Sequence, residues 1–354
     1  MNRALSLAER GRGRTSPNPL VGAVVVSRDG LIVGQGFHQR VGEPHAEVHA
    51  LEEAGVRARG ATLYCTLEPC CHVGRTGPCV QRIVEAGVVR VVAAVEDPNP
   101  LVHGKGFEHL RMHGVAVEVG LGAAAARALN QPFFTLMREH RPFVVLKAAM
   151  SVDGYIAEAP GKRTQLTSCE ANRHAHRVRA EVDAIGVGAG TILADDPVLT
   201  VRGAFRERPL VRVIFDRRLR TPPGAAVLST SQVGPVIIMT SAESAQDDAL
   251  RKPLEARGAS VEAVRDTTLR SALDRLADHQ VESLLLEGGA GVHAAAWDED
   301  LVDFVRLYVT TRTIGSGGVP FLDGRPFRAA DLIERRVEAL GPDTMIEGYV
   351  HGPR

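Results

Sequence analysis

Residues 45–79 read HAEVHALEEAGVRARGATLYCTLEPCCHVGRTGPC. The stretch opens with His45-Ala46-Glu47 directly after Pro44, passes through a helix-like segment and a short apolar run, and ends in a cysteine-rich loop. A zinc-dependent hydrolytic deaminase site has this grammar: His-x-Glu supplies one ligand and the general acid/base, and a later Pro-Cys…Cys supplies two thiolates. Three protein ligands leave the fourth zinc position to water, whose pKa the metal lowers towards neutrality. A carboxylate that is not a ligand must then move protons from that water to the departing amine. On this reading His45, Cys70 and Cys79 hold Zn2+, and Glu47 is the catalytic acid/base.

Spacing separates this reading from its rivals. Pro44 suits a first helical position, so the pattern predicts a helix from His45 through Val56. The helical H-E-x-x-H pattern places its glutamate directly after the first histidine; here Glu47 stands two after His45, although His45 and His49 are four apart. Cys70 and Cys79 are separated by eight residues, and Cys71 and His72 sit between them. Cys70 is favoured because it follows Pro69, and Cys79 because it would begin a helix after Pro78. Both thiolates would gain from helix N-termini. A closed structural site made of Cys70, Cys71, His72 and Cys79 is the bland alternative. Adjacent cysteines suit one tetrahedral ion poorly, and that site would leave Glu47 without a task.

Composition restricts the rest. The chain has 354 residues, enough for two domains. Lys+Arg and Asp+Glu both total 42, so no global field gathers nucleic acid. Five cysteines, three of them within ten residues, read as metal chemistry rather than a disulfide framework. Cys169 reads as an inert thiol. The start MNRALSLAERGRGR lacks a secretory apolar core, and no apolar run reaches spanning length. A cytoplasmic protein is expected.

Before the motif, residues 2–11 suit a short amphipathic helix, and Ser16-Pro17-Asn18-Pro19 forms a stiff turn. Asn18 is either a turn residue or an amide offered to a pyrimidine, which it can meet as donor and acceptor. LVGAVVVS and LIVGQGFH flank Arg28-Asp29-Gly30, a hairpin signal, and His38 ends that hairpin. Beyond the motif, strands at 88–95 and 115–119 alternate with helices at 78–86, 104–112 and 123–137. Such alternation predicts a layered α/β domain around a largely parallel sheet.

Charge and a proline at 138–142 mark a boundary between about residues 139 and 143. The domains expected are 1–140 and 143–354. PFVVLKAAMSVDGYIA follows, a strand leading into Lys147-x-Ala149-x-Ser151-x-Asp153-Gly154. Two glycine clusters, VDAIGVGAGTILADDPVLTVR (182–202) and LLLEGGAGVHAAA (284–296), read as strand-end turns whose amides can approach phosphate. Neither matches G-x-G-x-x-G, and either alone is an ordinary turn more often than a nucleotide site. Arg217, Arg218 and Arg220 follow a strand end, where guanidinium groups suit the 2′-phosphate of NADPH; a solvated basic turn is the alternative.

PNPLVGAVVV (17–26), HAEVHAL (45–51), TLEPCCHVGRTGPC (66–79), EDPNPLVHGKG (96–106) and the Lys-x-Ala-x-Ser-x-Asp-Gly segment resemble the bifunctional deaminase-reductases of riboflavin biosynthesis over nearly the whole chain. The resemblance implies a cytidine-deaminase-like α/β/α domain followed by a dihydrofolate-reductase-like α/β domain. It implies zinc-dependent deamination of a diaminopyrimidine bearing a ribosylamino phosphate, then NADPH-dependent reduction of the ribosyl group to ribityl. Asn18, His38, His72, Arg163, Arg179, Leu199, Arg202 and Glu287 would contact substrates. Ala149, Gln165, Thr191, Asp195, Arg217 and Gly289-Ala290-Gly291-Val292 would contact NADPH. Cys71 stands where the family usually has serine, and Gln165 where many relatives carry tryptophan. No residue suggests itself as the proton donor of the reduction. The partners expected are a small phosphorylated pyrimidine and further copies of the chain, with no nucleic acid and no membrane.

Three other readings compete. A deaminase with a degenerate reductase is opposed by intact Lys147, Asp153, Asp195, Arg202, Glu287 and Gly289. A nucleic-acid-editing deaminase should show a basic stripe with interleaved aromatics, yet aromatics are 4% of the chain. A regulatory zinc protein would waste Glu47.

Overall fold

A short helix, α1 (Asn2–Ala8), buries Ala4, Leu7 and Ala8 and leads to the hairpin β1 (Gly22–Val26) and β2 (Ile32–Phe37). Then follow α2 (Ala46–Ala54), β3 (Thr62–Cys65), α3 (Cys79–Glu85), β4 (Arg90–Ala93), α4 (Lys105–Met112), β5 (Ala116–Val119), α5 (Ala123–Leu129) and α6 (Gln131–Glu139). The computed structural model describes residues 1–72 and 77–352. The chain divides into two units, Met1–His140 and Arg141–Gly352.

The first unit's sheet runs β2-β1-β3-β4-β5. β1 is antiparallel to both β2 and β3, and only β3, β4 and β5 are mutually parallel. The sheet is therefore mixed rather than largely parallel, because the tight Arg28-Asp29-Gly30 turn reverses the chain and β3 pairs with the hairpin's other side. Two glycines let α2 lie directly on β2. A Cβ at Gly34 would meet the Ala50 carbonyl oxygen at 2.1 Å, and one at Gly36 would meet that of Ala46 at 2.5 Å.

Two helix expectations need correction. The helix from the His-Ala-Glu motif ends at Ala54, with a 3-10 turn at Gly55–Ala58, and Pro44 lies outside it because His45 is the N-cap. The segment 123–137 is two helices. Asn130 breaks it, since its side chain accepts from the Leu20 N–H (2.7 Å) and donates to the Leu20 carbonyl (2.9 Å). Pro132 then sits in the first turn of α6.

The second unit begins with the long strand β6 (Phe143–Ser151). It continues through β7 (Tyr155–Ala157), α7 (Cys169–Glu181), β8 (Ala184–Gly188), α8 (Ala189–Asp195), β9 (Val211–Phe215) and β10 (Val236–Ser241). Next come α9 (Ala242–Gln246), α10 (Asp248–Glu255), β11 (Ala259–Val264), α11 (Leu269–Asp278), β12 (Ser283–Gly288) and α12 (Ala290–Asp298). It closes with β13 (Phe304–Thr310), β14 (Val319–Pro320), β15 (Ile333–Leu340) and β16 (Asp343–Tyr349).

Nine of these strands form one sheet, ordered β11-β10-β9-β8-β12-β6-β13-β16-β15. It is parallel from β11 to β13, and β16 and β15 extend it antiparallel. Leu284 and Leu286 enter one core cluster and Leu285 the other, so β12 is buried on both faces. β8, β9, β10 and β11 add in one direction, and β12 then returns to the far side of β8. Ligands in open α/β sheets sit outside the carboxyl ends of strands at such a reversal. Those ends here carry Gly188 and Gly288. No helix among the described residues is long and apolar enough to cross a membrane.

Candidate functional site

The first unit gathers one His/Cys/Cys cluster. His45 is the extended N-cap of α2 (φ −75°, ψ 166°), which turns its ring off the helix end, and Glu47 lies in the first turn behind it. Cys79 is the first residue of α3. Cys70 lies on the extended exit of β3 and in no helix. It meets a helix start through space instead, because the Cys79 N–H donates to its Sγ at 3.4 Å. His45 Nδ1 lies 3.4 Å from Cys70 Sγ and 3.3 Å from Cys79 Sγ. All three ligand atoms fall within 4.8 Å of one another, and no second such group occurs among the described residues. Cys71 points elsewhere, its Sγ donating to the Leu101 carbonyl at 3.8 Å.

The electrostatics suit a cation. The hydrogen bond from the Cys79 thiol and the neighbouring His45 outweigh burial and hold the Cys70 thiol at about 4. Cys79 is pushed up by that same bond and by burial. The contact with Cys70 raises His45. Burial pushes Glu47 up to about 7 despite the opposing charge of His45. Its Oε2 is buried without a hydrogen-bond partner among the described residues. An acid poised near neutrality, with one oxygen unengaged beside three soft and borderline donors, fits zinc and a proton-shuttling base.

Two further residues stand against this cluster. The buried His38 ring meets His45 edge-on at 5.3 Å, and burial lowers it to about 4, so it is neutral. Its Nδ1 faces the Pro44 carbonyl at 3.3 Å and must carry the proton. Nε2 then accepts from Asn18 Nδ2 at 3.1 Å. His72 is half-buried, and its Nδ1 has no hydrogen-bond partner among the described residues.

In the second unit the strand-end residues converge less completely. Arg179 on α7 grips Glu287 on β12 through two bonds of 2.7 and 2.6 Å and also donates to the Thr200 carbonyl at 3.1 Å. Lys147 Nζ on β6 lies 3.9 Å from the same carboxylate. Burial alone would raise Glu287, but Lys147 and Arg179 win and hold it at about 2. Leu199 is buried with φ 55°, a strained conformation for leucine. Arg202 is exposed, and its N–H donates to His176 Nδ1 at 3.2 Å.

The glycine segments differ from expectation at one place. No turn separates β8 from α8, since the helix starts at Ala189 directly after Gly188. Gly186 is a packing residue, where a Cβ would meet the Phe215 ring at 2.9 Å. The second segment does turn: Gly289 is the N-cap of α12 at φ 81°, with Ala290, Gly291 and Val292 in the first turn. Thr191 Oγ1 faces it, 3.0 Å from where a Gly288 Cβ would stand and 3.2 Å from one at Gly289. A Cβ at Gly291 would meet only open space. Such a backbone cradle fits a pyrophosphate.

Ala149 on β6 pairs with Tyr308. Asp195 ends α8, raised by burial against the pull of Arg163. Arg217 projects exposed beyond β9, and no carboxylate pairs with its side chain among the described residues. Arg163 and Gln165 are exposed. Gln165 donates to the Thr167 carbonyl, and its own carbonyl accepts from Arg312 at 2.7 Å.

Several structural partners left no mark in the spacing. Tyr308 and His174 (Oη–Nδ1 2.8 Å) stand beside Lys147, whose Nζ lies 5.5 Å from the Tyr308 ring centre. Asp153 accepts from the Ile314 and Gly315 N–H groups, so this motif residue clamps a distant loop. Glu68 binds four amides of a later segment. Motif reading can flag Asp153 and Glu68 but cannot name what they hold.

Residues 142–346 match the RibD C-terminal domain, and residues 1–95 match the cytidine and deoxycytidylate deaminase zinc-binding region. The chain is 41% identical to riboflavin biosynthesis protein RibD of Aquifex aeolicus, covering 98% of this chain and 96% of that one. It is 39% identical to the Escherichia coli RibD, covering 98% and 97%. Among solved structures it resembles Acinetobacter baumannii RibD, with TM-score 0.86, 36% identity, and 98% and 96% of the two chains covered. It also resembles a Thermotoga maritima diaminohydroxyphosphoribosylaminopyrimidine deaminase/5-amino-6-(5-phosphoribosylamino)uracil reductase, with TM-score 0.82, 36% identity, and 98% and 96% covered. A zinc-binding deaminase unit and an NADPH-dependent reductase unit in one polypeptide, matched over 98% of the chain by these relatives, place the chain in the RibD family of bifunctional riboflavin-biosynthesis enzymes.

Proposed function

We propose a division of labour among this chain's residues. Residues 1–140 deaminate 2,5-diamino-6-(5-phosphoribosylamino)pyrimidin-4-one, and residues 143–354 reduce the ribosyl group of the resulting uracil to ribityl; of the second span, 353–354 lie outside the described residues. Zinc bound by His45, Cys70 and Cys79 would supply a Lewis acid that makes water nucleophilic near neutral pH. Glu47 takes a proton at its unengaged Oε2 and delivers one to the departing amine, a task matched to a carboxyl at about 7. The His38 ring orients Asn18 by accepting its Nδ2 proton, leaving the amide oxygen for the pyrimidine. His72 offers its ring from the same loop.

NADPH would supply the hydride for the second reaction. Gly289 to Val292 and Thr191 cradle its pyrophosphate, Ala149, Asp195 and Gln165 line its course, and Arg217 meets the 2′-phosphate. Arg179, Leu199, Arg202 and Arg163 receive the phosphorylated substrate, with Glu287 pinning Arg179 in place. The observation that carries the reading is the His45-Cys70-Cys79 cluster beside the orphaned Glu47 oxygen.

The same reading places the enzyme in the cytoplasm as a homo-oligomer without nucleic-acid or membrane partners; sedimentation would report the assembly. The deciding experiment incubates the purified chain with the pyrimidine phosphate, with and without NADPH, and identifies products by mass. Exchange of an amino group for oxygen without NADPH, followed by gain of two hydrogens with it, is expected. Unchanged substrate in both arms would sink the assignment, and the first product alone in both would leave only the deaminase.

A further inference from the structure

We propose that Glu68 is a positioning residue of the deaminase site: one buried carboxylate that fastens the segment from Asp97 to Phe107 onto the strand exit bearing Cys70. This rests on the deaminase reading of the metal cluster.

Glu68 is 3% exposed, two residues before Cys70. Its Oε2 accepts the N–H groups of Asp97 (3.2 Å) and Gly104 (3.0 Å), and its Oε1 those of Gly106 (2.9 Å) and Phe107 (3.3 Å). Gly106 and Phe107 are the second and third residues of α4, whose own N-cap, Gly104, has no side chain. Glu68 therefore caps that helix from another part of the chain, matching a negative charge to its positive end. Four amide protons fill the carboxylate's acceptor sites, so among the described residues the anion is held by oriented dipoles rather than by a cation.

The fastening is close because Gly106 allows it, since a Cβ there would meet the Pro69 carbonyl oxygen at 2.2 Å. Inside the fastened segment, Asp97 Oδ1 accepts from the Asn99 N–H (2.8 Å) and Asn99 Oδ1 from that of Leu101 (3.0 Å). The Leu101 carbonyl in turn accepts from Cys71 Sγ. Both edges of the segment thus return to the 68–71 stretch, which contains Cys70. A wall built this way shapes where a pyrimidine rests. Glutamine at 68 keeps the volume but turns an NH2 group towards two N–H donors, leaving them unpaired and the wall displaced.

The test uses the full chain as Glu68→Gln, with Gly106→Ala as an independent way to push the segment off its anchor. Deaminase kcat and KM, zinc content, reductase rate and amide exchange at 97–107 are measured beside wild type. Expected in both variants is a KM raised about ten-fold or more, with kcat within about three-fold. Zinc content and reductase rate should hold, and exchange at 97–107 should quicken. An unchanged KM with faster exchange would make Glu68 a structural pin only, and loss of zinc together with deamination would make it scaffold for the ligands. Either result overturns the proposal. If wild type does not deaminate, the underlying reading has failed, and unchanged exchange in both variants would separately refute the fastening.

Discussion

Arg179 and Glu287 meet through two parallel hydrogen bonds of 2.7 and 2.6 Å in the interior of the second unit, with Lys147 3.9 Å from the same carboxylate. A lone carboxylate this deeply buried would be neutral; two cations keep it ionised at about 2. Removing one partner leaves the others uncompensated, which costs far more than the pair contributes. The pairing also gives a pH signature. Glu287's folded value lies below its ordinary 4.5, so its contribution is present above that value and lost as pH falls from about 4.5 towards 2. Thermal melts of the second unit should show an acid limb in wild type that is flatter in Glu287→Gln. Parallel limbs would mean that the pair adds no pH-dependent stability.

Zinc should be held by three residues and indifferent to the fourth candidate. Metal analysis of Cys71→Ser is expected to give one zinc per chain, and Cys79→Ala is expected to lose it. The reason is geometric, because Cys71 Sγ turns to the Leu101 carbonyl while Cys79 Sγ lies 3.3 Å from His45 Nδ1. Loss of metal in the Cys71 variant alone would contradict the ligand set.

Glu47→Gln should abolish deamination with zinc still bound and the reductase rate unchanged, since an amide cannot shuttle a proton. A second signature appears in the chelated protein. Glu47's folded value of about 7 lies above its ordinary 4.5. The raised group disfavours the folded state as pH climbs from about 4.5 through 7. The metal-free glutamine variant should therefore melt higher than metal-free wild type at about pH 8 and match it near pH 4.5. Deamination near the wild-type rate would remove Glu47 from the chemistry.

Cofactor choice should follow Arg217, which projects beyond β9 with no carboxylate partner among the described residues. A charge-assisted bond to the 2′-phosphate corresponds to roughly a ten- to hundred-fold preference for NADPH over NADH in kcat/KM. Arg217→Ala is expected to erase most of that ratio while leaving NADH use near wild type. An unchanged ratio would make Arg217 a surface charge, and equal use of both cofactors by wild type would refute the NADPH contact itself.

The meeting of His45, Cys70 and Cys79 was legible without coordinates. His-x-Glu and Pro-Cys impose residue types and local order, and the chemistry they serve tolerates few other types, so His45, Glu47, Cys70 and Cys79 could be named from spacing. The hairpin around Arg28-Asp29-Gly30 and the strand running into Lys147 and Asp153 were local as well, written in alternation and turn residues. What spacing could not hold was anything fixed by a partner far along the chain. The sheet of the first unit is mixed because β3 pairs antiparallel with β1, from Val26 opposite Thr62 to Ala23 opposite Cys65, a choice with no local signature. The helix expected over 123–137 breaks at Asn130 because Leu20, 110 residues away, offers its backbone. Cys70 meets the start of α3 only through space, and Glu68 and Asp153 hold segments 29–39 and 161–162 residues distant. Local sequence specifies residue chemistry and short-range geometry, whereas the close approach of remote backbones depends on which buried polar groups must find partners once water is excluded. That requirement is met only in the folded chain.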